Sequence, residues 1–245
     1  MSSSSAILAP SPVRVLLCDA DGCLFPSEEP AFEASAQVMN RLLQHLGIDV
    51  TFTPTELRLA TTGMNFRATA TAIAADHGSV LAADELERWV AIEREVVTSH
   101  LQRRLAPDPA VTGALTRLFG LYALAVVSSS ASERVDASLA ASGIAEFFPG
   151  PFRFSAEDSL AVPASKPDPA IYQHALESLG ISTDHALAIE DAVPGVEAAV
   201  RAGVGVIGML AFVASDERAE RAAALEAAGA RAAVSSWREL EGVLG

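Results

Sequence analysis

Four short apolar runs constrain this chain more than any other feature. Residues 13–18 (VRVLLC), 123–127 (ALAVV), 186–189 (ALAI) and 204–208 (VGVIG) are almost continuously hydrophobic. Runs this short, without polar alternation, suit strands buried on both faces, as in a parallel sheet covered by helices. Residues 152–154 (FRF) are a further strand candidate. Helical patterns follow at 131–142, 169–179, 194–202 and 216–228. Strand alternating with helix implies right-handed crossovers and a doubly wound α/β sheet. Such sheets bind ligands at the carboxyl ends of their strands.

One interval breaks the alternation. Between the first and second runs, residues 27–107 read almost wholly as helix, at 32–46, 55–60, 66–77 and 84–103. That is too much for one crossover, so 27–107 is expected to be an inserted helical cap domain. The core would then comprise 13–26 and 108–245. Residues 1–12 (MSSSSAILAPSP) lack a basic start and a sustained apolar stretch, and read as a flexible lead-in rather than a signal peptide.

Composition narrows the partners. Half of the 245 residues are hydrophobic, enough for a sizeable core, and the formal net charge is −14. That balance argues against nucleic acid and anionic membrane surfaces, which want a basic patch. No apolar run reaches transmembrane length. The two cysteines, Cys18 and Cys23, give no disulfide framework and fit a reducing cytoplasm. The expected assembly is a monomer or a weak homodimer.

Chemistry gathers where the apolar runs stop. The first ends in Asp19-Ala20-Asp21-Gly22. Asp-Gly is a common turn dipeptide, which alone would explain it. Yet side chains at i and i+2 of an extended chain leave the same face. Two such carboxylates about 4 Å apart repel by roughly 4 kcal/mol at an effective dielectric near 20, unless a cation or a proton intervenes. The second run enters Ser128-Ser129-Ser130. A hydroxyl and backbone N–H groups between a strand and a helix make a phosphate cradle, and helix capping is the plainer reading of the same serines.

Two later stretches complete the set. In "SKPDP" (165–169), Lys166 is the only lysine of the chain, beside sixteen arginines. On a loop it would ordinarily be a solvated charge, but a compact ammonium also neutralises a carboxylate and a phosphoryl oxygen together. In "EDAVPG" (190–195), Glu190 and Asp191 end another buried run. Asp191 could simply cap the next helix, with Pro194 in its first turn. Four carboxylates at adjoining strand ends call for a hard divalent cation, and Mg2+ suits them.

Taken in order, "DADG", the strand-end serine, "KPDP" and "EDAVPG" resemble the haloacid dehalogenase superfamily, in particular its β-phosphoglucomutase-like phosphatases with a helical cap. The resemblance implies a Rossmann-like core and a Mg2+-dependent phosphatase acting on a small phosphorylated metabolite, sugar phosphates first. It makes Asp19 the nucleophile that forms an aspartyl-phosphate, and Asp21 the general acid and base. Ser128, with Ser129, and Lys166 would hold the transferring phosphoryl group. Glu190 and Asp191 would serve the magnesium site together with Asp19 and the backbone carbonyl of Asp21.

Departures from the family pattern sharpen the reading. Cys23 and Ala192 replace the usual threonine and serine near the site. Asp21 argues against the metal-free dehalogenase branch, and a cap without lysine argues against Schiff-base phosphonatases. Ala31 stands where β-phosphoglucomutase carries a histidine, which favours hydrolysis over a sugar phosphomutase, the nearest alternative. A non-catalytic descendant that binds a phosphorylated ligand is the other. In the cap, "TTGMNFRA" (61–68) is a candidate specificity loop, with Asn65 and Arg67 as substrate contacts. Met64 and Phe66 as core and Arg67 as a solvated charge is its plainer reading. Glu28 and Glu29 could face the cleft or the solvent.

Overall fold

A computed structural model describes residues 13–60 and 65–244. The lead-in 1–12 and the part 61–64 of the candidate specificity loop lie outside the described residues. The chain opens with β1 (Val15–Cys18) and then runs through α1 (Glu28–His45), α2 (Pro54–Ala60), α3 (Phe66–Asp76) and α4 (Ala83–Arg104). It continues as α5 (Pro109–Phe119), β2 (Ala123–Ser128), α6 (Ser132–Ala141), β3 (Arg153–Ser155) and α7 (Ala170–Leu179). Its last part is β4 (Ala186–Glu190), α8 (Val193–Arg201), β5 (Gly205–Met209), α9 (Arg218–Ala227), β6 (Ala233–Val234) and α10 (Trp237–Leu244).

The described strands form one parallel sheet in the order β3-β2-β1-β4-β5-β6. The chain builds outward from β1 to β3, then crosses to β4 and builds outward on the other side. This is the doubly wound arrangement expected, with its switch of direction beside β1. The apolar runs are explained by burial on both faces: every residue of β1 and β4 is buried. Cys18 lies opposite both Val126 and Ile189, so the carboxyl ends of β1, β2 and β4 stand side by side.

The chain divides into two compact units, one holding residues up to Pro26 and from Ala106 onward, the other Ser27–Leu105. The elements of the second among the described residues are all helices. Its core gathers Ala36, Met39, Leu42 and Leu43 of α1 with Leu57 and Ala70. Those spacings put one stripe of α1 inward. No helix among the described residues is long and apolar enough to cross a membrane.

Some elements differ from the sequence expectation. The first strand starts at Val15 rather than residue 13, after an exposed Arg14 whose backbone still bonds to His185 and Ala123. The 152–154 candidate is Arg153–Ser155, a short edge strand paired only with β2. Helices α5 and α10 were not anticipated as elements of their own, while the alanine-rich stretch from Arg218 to Ala233, read as helix and strand, holds α9 and the start of the two-residue β6.

Candidate active site

The site is built at the carboxyl ends of β1, β2 and β4. Asp19 follows β1 directly, and its N–H still donates to Ile189 O at 2.9 Å, which holds it between β1 and β4. The chain then turns sharply. Gly22 has φ of 78°, a left-handed conformation that glycine adopts without a side-chain clash. A Cβ there would also stand 2.3 Å from Asp191 Oδ2, so Gly22 answers two demands at once. Beyond β4, Gly195 in the first turn of α8 has a similar part. A Cβ on it would come within 1.8 Å of Glu190 Oε2. Its absence lets the positive end of the helix dipole approach that carboxylate.

Lys166 ties the strand ends together. All three donors of its ammonium are used: Nζ reaches Asp19 Oδ1 at 2.5 Å, Glu190 Oε1 at 2.7 Å and the carbonyl of Val127 at 2.7 Å. Its side chain is 6% exposed, that of Asp19 11% and that of Glu190 1%. The sole lysine is therefore buried in an ion-pair cluster. Its backbone N–H donates to Ser129 Oγ at 3.3 Å, joining the lysine loop to the end of β2. Tyr172, fully buried on α7, donates its hydroxyl to Glu190 Oε1 and lies with its ring centroid 5.4 Å from the ammonium.

The electrostatics leave this cluster short of positive charge. Burial first, then the neighbouring Glu190, pushes the Asp19 carboxyl up to about 7 against the pull of Lys166. Asp191 is also held well above the usual carboxylate range, by burial and by Asp19 and Glu190. Burial works to lower Lys166, but Asp19 and Glu190 outweigh it and hold the ammonium charged. Three buried carboxylates thus stand around one lysine, which pairs with two of them, Asp19 and Glu190. Asp19, Glu190 and Asp191 each offer an oxygen, all within 4.8 Å of one another. A set of oxygen donors carrying excess negative charge fits a hard divalent cation, which would supply the missing positive charge.

Asp21 faces other partners. Its Oδ2 accepts from Ser130 Oγ at 2.7 Å, and its Oδ1 lies 3.7 Å from the guanidinium of Arg134. Ser128 is buried, and its Oγ accepts the N–H of Ser130 at 3.0 Å, closing a tight turn between β2 and α6. The structure thus gathers Asp19, Lys166, Glu190 and Asp191 directly, with Ser128 at the end of β2 and Ser129 and Asp21 on the adjoining loops. Asn65 and Arg67 are engaged within the helical unit. Asn65 caps α3 by accepting from Ala68 N–H at 2.9 Å, and Arg67 pairs with Glu87.

Sequence reasoning missed Tyr172, Ser130 and Arg134. Tyr172 left one usable signal, a polar-tipped aromatic on the apolar face of a helix that follows the lysine loop; a buried hydroxyl of that kind needs a partner. Arg134 left another, a cation in the first turn of a helix, where the dipole disfavours it.

A family model described as haloacid dehalogenase-like hydrolase matches residues 13–203. The 6-phosphogluconate phosphatase of Escherichia coli (strain K12) is 26% identical over 197 residues, 80% of this chain and 82% of the relative. Among solved structures, a HAD family hydrolase from Deinococcus radiodurans R1 with bound phosphate and sodium aligns with a TM-score of 0.65. It is 26% identical, and the match covers 95% of this chain and 97% of that one. A mutant of CbbY from Rhodobacter sphaeroides in complex with xylulose-(1,5)bisphosphate aligns with a TM-score of 0.68. It is 25% identical, over 93% of this chain and 96% of that one.

Proposed function

The chain belongs to the haloacid dehalogenase-like hydrolases, and from that premise we propose that it is a Mg2+-dependent phosphatase of small sugar-derived phosphomonoesters, working through an aspartyl-phosphate on Asp19. One observation carries the reading: a buried lysine bridges Asp19 and Glu190 where three strand ends meet. Burying those charges is costly, and a fold that needed only stability would do as well with apolar residues.

In this reading Asp19, Glu190 and Asp191, with the backbone carbonyl of Asp21, would hold the metal, which would supply positive charge to the phosphoryl oxygens. A carboxylate oxygen of Asp19 attacks phosphorus, and the ester P–O bond breaks. Asp21 gives its proton to the departing alkoxide. Water then attacks the aspartyl-phosphate while Asp21 takes back a proton, and the bond from phosphorus to Asp19 breaks, releasing inorganic phosphate. Splitting one displacement in two is what a carboxylate nucleophile accomplishes. Lys166 keeps Asp19 in place and offsets charge as the phosphoryl group transfers. Ser128 and Ser129 form the loop against which that group rests.

The relatives support the substrate class: one is named a 6-phosphogluconate phosphatase, and a mutant of another was captured with a xylulose bisphosphate. Water is the favoured acceptor, because Ala31 replaces the histidine of β-phosphoglucomutase and the helical unit carries no lysine. The test is phosphate release from 6-phosphogluconate, pentose phosphates and p-nitrophenyl phosphate, with Mg2+ and with EDTA. Mg2+ should give turnover, EDTA should stop it, and Asp19→Asn should be inactive throughout. Substantial turnover by Asp19→Asn, or by wild type freed of metal, would overturn the proposal.

A further inference from the structure

We infer that Ser130, just after β2, and Arg134, in the first turn of α6, are positioning residues that clamp Asp21; the inference rests on the proposed role of Asp21 as acid. Each carboxylate oxygen of Asp21 has its own partner, Ser130 Oγ on Oδ2 at 2.7 Å and the Arg134 guanidinium 3.7 Å from Oδ1. Both partners stand on fixed supports. Ser130 is held at its N–H by Ser128 Oγ and at its carbonyl by Ser155 Oγ, 3.0 and 2.8 Å away. Helix α6 is anchored at its start, where Ser132 N–H donates to Asp158 Oδ2 at 2.6 Å.

Two features of Arg134 are hard to explain without a task. It lies in the first turn of α6, the end of the helix dipole that disfavours a cation by about 0.3–1 kcal/mol. Its side chain is only 23% exposed, and its Nε is buried with no hydrogen-bond partner among the described residues. An unsatisfied buried donor costs about 1–3 kcal/mol, which a surface arginine would avoid by swinging into water. Arg134 accepts both penalties and points its guanidinium at Asp21. A general acid transfers its proton only from hydrogen-bonding distance of the leaving oxygen, so fixing the carboxyl on both oxygens selects the productive orientation.

The test compares two esters of nearly the same shape. p-Nitrophenolate departs without needing a proton, whereas the leaving group of phenyl phosphate gains from one. The ratio kcat/KM reports the first irreversible step, the attack by Asp19, where Asp21 is the acid. Arg134→Met should lower kcat/KM for phenyl phosphate by about tenfold or more, the lower part of what a general acid contributes. It should leave p-nitrophenyl phosphate within about threefold of wild type, a difference under 1 kcal/mol. Ser130→Ala should widen the same gap, and carries the test if Arg134→Met does not fold. Arg134→Lys should lie between wild type and Arg134→Met. Asp21→Asn is the control and should widen the gap most. If Asp21→Asn leaves the gap unchanged, Asp21 is not the acid and the underlying reading fails. If Asp21→Asn widens it but Arg134→Met and Ser130→Ala do not, the clamp alone is overturned.

Discussion

The two units of this protein use the same pairing chemistry to different ends. In the core, Lys166 meets Asp19 and Glu190 with all three side chains nearly out of solvent. In the helical unit, Arg67 meets Glu87 with the two side chains 44% and 58% exposed, and Arg104, 54% exposed, meets a Glu33 that is 29% exposed. Water makes the second kind of pair cheap to form and cheap to lose, with a typical worth of about 0–1 kcal/mol. Burial makes the first kind costly to assemble and costlier still to break. The unit that pays for buried charge is the one to search for chemistry.

The largest effect expected from this contrast follows from Lys166→Ala. Two buried carboxylates would lose their shared partner, and breaking a buried ion pair costs about 3–5 kcal/mol of stability. Catalysis should suffer as well, by about 10²–10³ in kcat, as when one preorganised charge-stabilising donor is removed. Urea denaturation and p-nitrophenyl phosphate turnover measure the two losses. A variant within about threefold of wild-type kcat, a gap under 1 kcal/mol, would remove Lys166 from the machinery.

The contrast was only half legible in the sequence. Asp19, Ser128, Lys166, Glu190 and Asp191 stand where something interrupts a pattern: an apolar run stops on a charge, or a proline stiffens the loop after the only lysine. The sheet was legible for a related reason, since burial on both faces leaves little but hydrophobic residues in β1 and β4. Tyr172 and Arg134 interrupt nothing, and Ser130 was hidden as the last of three serines. Each sits within or beside a helix, and only the packing of α6 and α7 against the strands gives it a partner. Helix α5 was hidden by Thr112, Gly113 and Thr116, weak helix formers within its eleven residues. Strand β6 has two residues and owes its existence to pairing with β5.

A smaller effect should appear as pH dependence in the metal-free protein. The Asp19 carboxyl is raised to about 7 in the folded state from an ordinary 3.8. Between those values the folded protein keeps a proton that the unfolded chain has released. The stabilisation is therefore full below about pH 4 and disappears as pH rises towards 7, with a slope of at most about 1.4 kcal/mol per pH unit for one group. Asp191, raised by the same burial, adds in the same direction. Denaturation in EDTA from pH 5 to 7 should show wild type losing stability more steeply than Asp19→Asn. Mg2+ should lessen the fall, because a bound cation favours the ionised carboxylates. If stability in EDTA rises with pH more steeply for wild type than for Asp19→Asn, the buried cluster does not hold that proton.

The smallest effects belong to the helical unit, and they probe the comparison from its other side. Asn65 caps α3 through Ala68 N–H, so Asn65→Ala should cost about 1 kcal/mol, read as faster hydrogen exchange in the first turn of that helix. Arg67, two residues on, has its exposed pair with Glu87 to lose among the described residues, and Arg67→Ala should cost less than about 1 kcal/mol. The order matters more than either size, because a neutral side chain with one well-placed bond should outweigh a charged one whose partner is half in water. Turnover gives the second arm of the test. With its charge already answered by Glu87, Arg67 should be dispensable, and Arg67→Ala should keep kcat and KM within about threefold of wild type, a difference under 1 kcal/mol. A tenfold rise in KM at unchanged kcat would mean that Arg67 exchanges Glu87 for an anionic group of the substrate. The exposed pair would then be a resting place for a binding residue, and the division between a chemical core and a structural helical unit would no longer hold.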